Sequence, residues 1–383
     1  MIKLRGMTWD HDRGYNPLVA ASEVFNSRYP EVTIEWDKRS LQAFADRPLD
    51  VIAEEYDFMI IDHPHIGEAS QQGSIIALND EKYVDALAQL NANSVGPSHK
   101  SYELDGKNWA LAVDAACQVA CYRPDLLESP PSNWDEVFEL AKQGKVLWPL
   151  KPVDAVDSFF TLCANLGKPV ATTEREFVDK GAAKQALELM AMFAPYLPEE
   201  NLVHNPIDVL EIMSTSDQYA YCPLLFGYTN YARTGYRTNT ICFTDMPTFA
   251  DKEIGGSIIG GTGIAISSKC AHPELAKEFA FSLASEELQK SIYFERDGQP
   301  AHKAAWLDES VNKASNQFFK DTLTTIENSW LRPRYNGFLY LADVGGDLVN
   351  EFLEGKQSVE DVIQGLEEAY QKSLLGEKER KYD

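Results

Sequence analysis

No apolar run in the chain of 383 residues approaches the roughly 18 residues that a membrane-spanning helix requires. The opening "MIKLRGMTW" lacks the apolar core of a secretion signal. The expectation is therefore either a leader that has been removed or a chain that never carried one. Basic residues are scarce, 35 Lys and Arg against 59 Asp and Glu, and the formal net charge is -24. Such an exterior repels nucleic acid and anionic membrane surfaces, so neither is expected as a partner. Six cysteines, Cys117, Cys121, Cys163, Cys222, Cys242 and Cys270, lack the short paired spacing of a zinc site. They read as buried small hydrophobes, a mild argument for a reducing compartment. The "GGTG" at 260–263 is not followed by a lysine-serine pair and sits in a strand context, which excludes a phosphate cradle. There is no internal repeat, no low-complexity tract and no nucleophile-base pairing at recognisable spacing.

What is present describes a globular chain. Hydrophobic residues make up 44% and charged residues 25%, and the length exceeds what one growing core serves, so two lobes are expected. Residues 2–61 alternate: "IKLRGMTW", then Asn16-Pro17 opening a helix through "LVAASEVFNSRY", then "VTIEW", then "SLQAFADRPLDVIAEE" as a second helix, then "YDFMII". Val32, Ile34 and Trp36 alternate as in a strand, whereas Phe58 to Ile61 form a run suited to a strand covered on both faces. This order predicts an α/β fold with a parallel sheet and right-handed crossovers.

Two of those strands end in polar clusters, "TWDHDRG" at 8–14 and "DHPHIG" at 62–67. If they are neighbours, Trp9, Asp10, His11, Asp62, His63 and His65 converge on one carboxyl-edge rim, where open parallel sheets bind ligands. Pro64 is expected to keep His63 and His65 extended, with both rings pointing the same way. Three readings of these histidines stay open: hydrogen bonding to a polar ligand, a metal held with Asp62 or Asp10, and loop packing.

Downstream, "GKNWALAVDAACQVACYRPDLL" at 106–127 is extended and too long for one strand, as is the glycine-rich "GGSIIGGTGIAISS" at 255–268. Both suit crossings between lobes. "SNWDEVFELAKQG" reads as a capped helix, and the chain beyond about residue 272 is mostly helical. With "PSNWDEVFELA", "GGTGIAISSKCAHPELAKEFAFSLASEELQ" and "GQPA" in that order, the sequence resembles the family 1 extracellular solute-binding proteins, receptors of carbohydrate-type ABC importers. The resemblance implies a two-lobed periplasmic-binding-protein-like fold of type 2, with the ligand in a cleft between lobes. Lobe 1 would hold residues 1–112 and 259–305, and lobe 2 residues 113–258 and 306–383. It implies a monomer that partners ABC importer membrane subunits, uses no cofactor or metal, makes no chemical turnover and resides in the periplasm or outside the cell. Two departures stand out: no export signal, and Leu111 or Ala112 where the family often has proline.

A sugar site needs aromatic faces and planar polar groups that leave few hydroxyls unpaired. Trp9, Tyr228 and Tyr231 are the candidate faces; Asp10, Asp62, Asp114, Asn230 and Arg334 are the candidate polar groups. By its place in the family pattern, Asp114 either reaches the ligand or caps a hinge. "YCPLLFGYTNY" at 221–231 is expected to break a strand at its proline and glycine and present Phe226, Tyr228, Asn230 and Tyr231 to ligand, or to form a surface loop whose aromatics pack on the second lobe. Arg334 in "WLRPRYNGF" pairs either with a ligand carboxylate or with a structural one. A leaderless cytosolic sensor and a metal-assisted enzyme using Asp62, His63 and His65 are the competing functions.

Overall fold

The computed structural model describes residues 1–40, 48–249 and 251–375. In chain order, the strands that carry the argument are β1 (Ile2–Trp9), β2 (Val32–Arg39), β3 (Phe58–Asp62), β4 (Leu111–Ala112), β5 (Ala116–Tyr122), β6 (Tyr221–Phe226), β7 (Cys242–Thr244) and β8 (Thr262–Ile266). The helices are α1 (Asp12–Arg28), α2 (Pro152–Asn165), α3 (Lys180–Phe193), α4 (Pro206–Thr215), α5 (Pro273–Ala284), α6 (Phe338–Leu353) and α7 (Val359–Leu374). The chain divides into two compact units: Met1–Ala115 with Gly260–Val311, and Ala116–Ile259 with the described residues from Asn312 onward. These limits run a few residues beyond 112 and 305. Ala115 N–H donates to Gln299 O, and Gln299 Nε2 donates back to Ala115 O, which holds residues 113–115 in the first unit.

The first unit is built on one sheet of order β2-β1-β3-β8-β4. β1 runs parallel to both β2 and β3, whereas β8 is antiparallel to β3 and β4. The mixed sheet follows from chain order: β8 returns to this unit after the whole first segment of the second. Val32, Ile34 and Trp36 point inward from β2, and all of β3 up to Ile61 is buried, as strands with one and two covered faces require. Trp36 stacks on Phe58 at 5.8 Å, and Phe279 from α5 meets Phe58 at 5.2 Å to close the core.

Local signals misplace the start of the first helix. Helix α1 starts at Asp12, not at Pro17, because His11 caps it: its Nδ1 accepts from Arg13 N–H at 3.0 Å. Pro17 then lies inside the helix, which forgoes one backbone bond, and Asn16 donates to Asp297 instead of capping. Of the helix expected in "SLQAFADRPLDVIAEE", residues 41–47 lie outside the described residues and Leu49–Ala53 is helical.

In the second unit β5 pairs antiparallel with β6 and with β7. Against this sheet Trp134 stacks on Trp148 at 5.2 Å, with Phe193 of α3 edge-on to both, and α2, α6 and α7 supply Phe160, Phe338 and Tyr370 to the same core. Contrary to expectation, the strand runs unbroken through Pro223 to Phe226. β6 ends the path of its sheet, and the register skips between Val119 and Cys121, so the missing N–H at Pro223 falls at a bulge. Among the described residues no helix is long and apolar enough to cross a membrane.

Candidate functional site

The register of β1 on β3, Gly6 beside Phe58 and Met7 beside Met59, carries Asp10 to the level of Asp62 at the carboxyl ends of both strands. The two polar clusters therefore do meet on one edge of the first unit. Asp10 is exposed and paired to Lys38 at 2.7 Å, while His11 and Asp62 are half-buried. Because His11 Nδ1 accepts from Arg13, the neutral ring carries its proton on Nε2 and acts there as a donor. Trp9 lies beneath this edge, buried, with Gly14 against its indole: a Cβ at Gly14 would approach the ring to 2.4 Å. The ring is thus the floor on which α1 starts.

His63–His65 forms a single 3-10 turn, not an extended stretch. Asp62, at φ -77 and ψ 144, is the last extended residue, and Pro64 fits the first positions of the turn. At about 120° per residue, the two histidine rings leave the turn in different directions. The His63 ring is fully buried and edge-on to Tyr102 at 6.3 Å, and the His65 Nδ1 lies 3.2 Å from Asp62 O. Tyr102 in turn donates to Ile61 O at 2.9 Å, locking the end of β3. Packing overrides the steric bias that proline places on the residue before it. Among the described residues, no group of three or more His, Cys, Asp or Glu is arranged to hold a metal ion.

Asp114 sits at the chain exit from the first unit with its carboxylate fully buried, held by both arms of Arg13: Nε to Oδ2 at 2.8 Å and Nη2 to Oδ1 at 2.5 Å. Burial pushes the Asp114 carboxyl above its ordinary value, opposed by the Arg13 charge and hydrogen bonds from the Thr262 and Gln299 backbone. The guanidinium is charged at any ordinary pH, so the Asp114 carboxyl faces a permanent cation. Its backbone is equally fixed, since Asp114 N–H donates to Thr262 O and Thr262 N–H to Asp114 O. Gly261, at φ +88, permits this approach: a Cβ there would lie 2.3 Å from Asp114 O. Of the two readings of Asp114, the geometry favours the hinge cap.

In the second unit, Tyr228, Thr229, Asn230 and Tyr231 are all buried, with Thr229–Ala232 forming a single turn. Phe226 is half-buried. The Tyr231 hydroxyl donates to Glu211 at 2.6 Å, and Arg237 clamps the same carboxylate, so this ring belongs to a structural cluster. Arg334 is half-buried in the irregular segment before α6. Two residues away, Arg332 faces Asp157 of α2, with Nη1 3.4 Å from each carboxylate oxygen. Asp154, one turn earlier on α2, has its carboxyl pushed well above the ordinary range by burial and then by the Asp157 charge.

Sequence reasoning passed over Arg13, Tyr102, Asp154, Asp157 and Arg332. Arg13 carried a usable signal, a cation inside the very cluster "TWDHDRG" that was singled out for its acids. For the others the local sequence holds none, because each acts through a partner distant in the chain.

The sequence pattern of the family described as "Bacterial extracellular solute-binding protein" matches residues 20–318. The chain belongs to this family. The arabinooligosaccharide-binding protein of Halalkalibacterium halodurans is 21% identical, over 76% of this chain and 72% of that protein. Maltose-bound MalE3 of T. maritima superimposes with a TM-score of 0.84 at 18% identity, covering 97% of this chain and 99% of that one. The GacH receptor of Streptomyces glaucescens, solved unliganded and with acarbose, gives 0.81 at 13% identity, covering 98% and 99%. The α/β binding-protein fold of these solved structures is the fold of this chain. Carboxylates such as those of Asp10 and Asp62 on this edge accept from two hydroxyls at once, and a neutral imidazole donates from its protonated nitrogen.

Proposed function

We propose that the chain is the solute receptor of an ABC importer and takes a small polyhydroxylated ligand, a sugar or sugar derivative, without making or breaking a bond in it. The observation that carries this reading is the gathering of Asp10, His11 and Asp62 at the carboxyl ends of neighbouring parallel strands, in a chain of the extracellular solute-binding family. Acceptors and a donor set side by side on a rigid edge suit adjacent hydroxyls, whose hydrogen bonds to water they replace. Relatives and structural neighbours support the ligand class, since they are named for, or solved with, arabinooligosaccharide, maltose, ribitol and tagatose. Phe226, Tyr228, Asn230 and Arg334 are further proposed contacts, and the receptor acts as a monomer in the periplasm or at the cell surface.

A thermal-shift screen with maltose, maltotetraose, arabino-oligosaccharides, ribitol, tagatose, polyamines and metal salts tests this. A ligand at one hundred times its Kd adds about 2.7 kcal/mol to native stability and raises Tm accordingly. For the sugar that does so, Asp62→Ala is expected to weaken binding measured by calorimetry by about 1–3 kcal/mol, and the sugar is recovered intact after prolonged incubation. Conversion of the sugar, or a screen in which only a metal salt or a polyamine shifts Tm, overturns the proposal.

A further inference from the structure

In the second unit, the antiparallel register of β5 on β6 sets Cys121 directly opposite Cys222 and Tyr122 opposite Tyr221. Opposed residues of a sheet project from the same face. The two thiols are therefore neighbours on one side, and both are fully buried. A third cysteine nearby does not join them. Cys242 on β7 is opposite Tyr122, one residue out of phase with Cys121, and so points from the other face.

Opposed residues of an antiparallel pair have Cα atoms about 4.5–5.5 Å apart, inside the window of about 4.4–6.8 Å that a disulfide spans. The present partners of the two sulfurs are weak: Cys121 Sγ stands 4.0 Å from Met213 Sδ, and Cys222 Sγ donates to Leu224 O at 3.7 Å. Joining the sulfurs would strand no strong polar group. The family is extracellular, and secreted and periplasmic compartments oxidise thiols.

We propose that Cys121 and Cys222 are a disulfide-forming pair that cross-links β5 to β6 when the chain folds in an oxidising compartment. With glutathione disulfide as oxidant, the thiolate of one cysteine attacks a glutathione sulfur and expels one glutathione thiolate. The thiolate of the other then attacks the mixed disulfide at the protein sulfur and expels the second. Two protein thiols are oxidised to one disulfide, one glutathione disulfide is reduced to two glutathione molecules, and the two protein protons end on those leaving groups. No oxidant reaches the sulfurs once the sheet has closed, and burial, with Cys121 alongside, pushes the Cys222 thiol far above its ordinary value. The bond is therefore made during folding. Because it ties together two positions a long way apart in the chain, it removes much freedom from the unfolded state and raises the unfolding temperature.

The test is to unfold and reduce the full chain, then refold it with mixed reduced and oxidised glutathione or with reduced glutathione alone. Oxidative refolding is expected to consume two of the six thiols, counted by alkylation in denaturant, and non-reducing peptide mapping is expected to find the Cys121–Cys222 linkage. Oxidised protein should melt several degrees above reduced protein, and Cys121→Ala and Cys222→Ala should each abolish that difference. Native reduced protein in the same buffer should keep all six thiols. Six thiols after oxidative refolding, or a bond joining any other pair, overturns the proposal. The peptide map of the natural chain decides the matter even if a variant fails to fold.

Discussion

Asp154 is a carboxyl in a place that does not suit its charge. It occupies the third residue of α2, where the helix dipole favours an anion, yet it is buried and its Oδ2 accepts no hydrogen bond among the described residues. Burial, then the neighbouring Asp157, raise its pKa well above the ordinary value, with Lys151 pulling the other way. A carboxyl whose pKa is higher folded than unfolded binds its proton more tightly in the native state. Its contribution to stability is fully present below the unfolded value of about 3.9 and is lost as pH rises through the raised folded value. Replacing it by the neutral, near-isosteric amide in Asp154→Asn should remove that loss. At pH 7 the variant is expected to be more stable by about 1–3 kcal/mol, with the gap closing towards pH 4. Urea unfolding of both proteins across this range checks it. A variant less stable than the natural chain at pH 7 would mean that the carboxylate makes a productive contact.

Elements are joined by side chains that reach across them, and Arg123 shows which part of such a joint matters. It follows β5 immediately, with its side chain wholly buried, and Nη1 donates to Met213 O at 2.7 Å and Ser216 O at 2.5 Å at the end of α4. Its other partners, Asp125 and Asp217, are 56% and 80% exposed, so water screens those ion pairs and they contribute little. The carbonyl bonds dominate, because without the guanidinium one buried and one half-buried helix-end acceptor lose their donor. Arg123→Met should therefore cost about 2–4 kcal/mol in denaturant unfolding, while Asp217→Asn should cost under about 1 kcal/mol. Equal losses would reverse this ranking. The same distinction explains what the sequence could disclose. β2 and β3 were legible because one-faced alternation and a two-faced apolar run are local imprints of burial, and the rim was legible because each cluster follows its strand directly. The start of α1 was misread because a distal pairing took Asn16 away from the capping role its neighbour Pro17 suggested. The extended reading of His63–His65 failed against packing on Tyr102, and the Arg13–Asp114 pair was hidden by the 101 residues that separate its members.

At the scale of the whole molecule, neither compact unit is one continuous stretch of chain. The consequence is sharpest for the first. Its sheet has the order β2-β1-β3-β8-β4, and β8 comes from residues 262–266, after the chain has been through the second unit. β8 is an inner strand: it pairs with β3 along its length, from Thr262 opposite Asp62 to Ile266 opposite Phe58, and with β4 on its other side. Every residue of it is buried. A fragment ending at Ala115 would therefore expose the paired edge of β3, leave β4 with no strand beside it, and lose α5 with the Phe279 that closes the core on Phe58. Exposed apolar edges of that kind are templates for association, not for folding. Residues 1–115 alone are expected to show no cooperative thermal transition by circular dichroism and to aggregate. Addition in trans of a fragment spanning residues 260–311 is expected to restore part of the secondary structure, because it returns both the missing strand and the helix that covers it. A sharp transition in the 1–115 fragment by itself would mean that β1, β2 and β3 form a sufficient core without the returning strand.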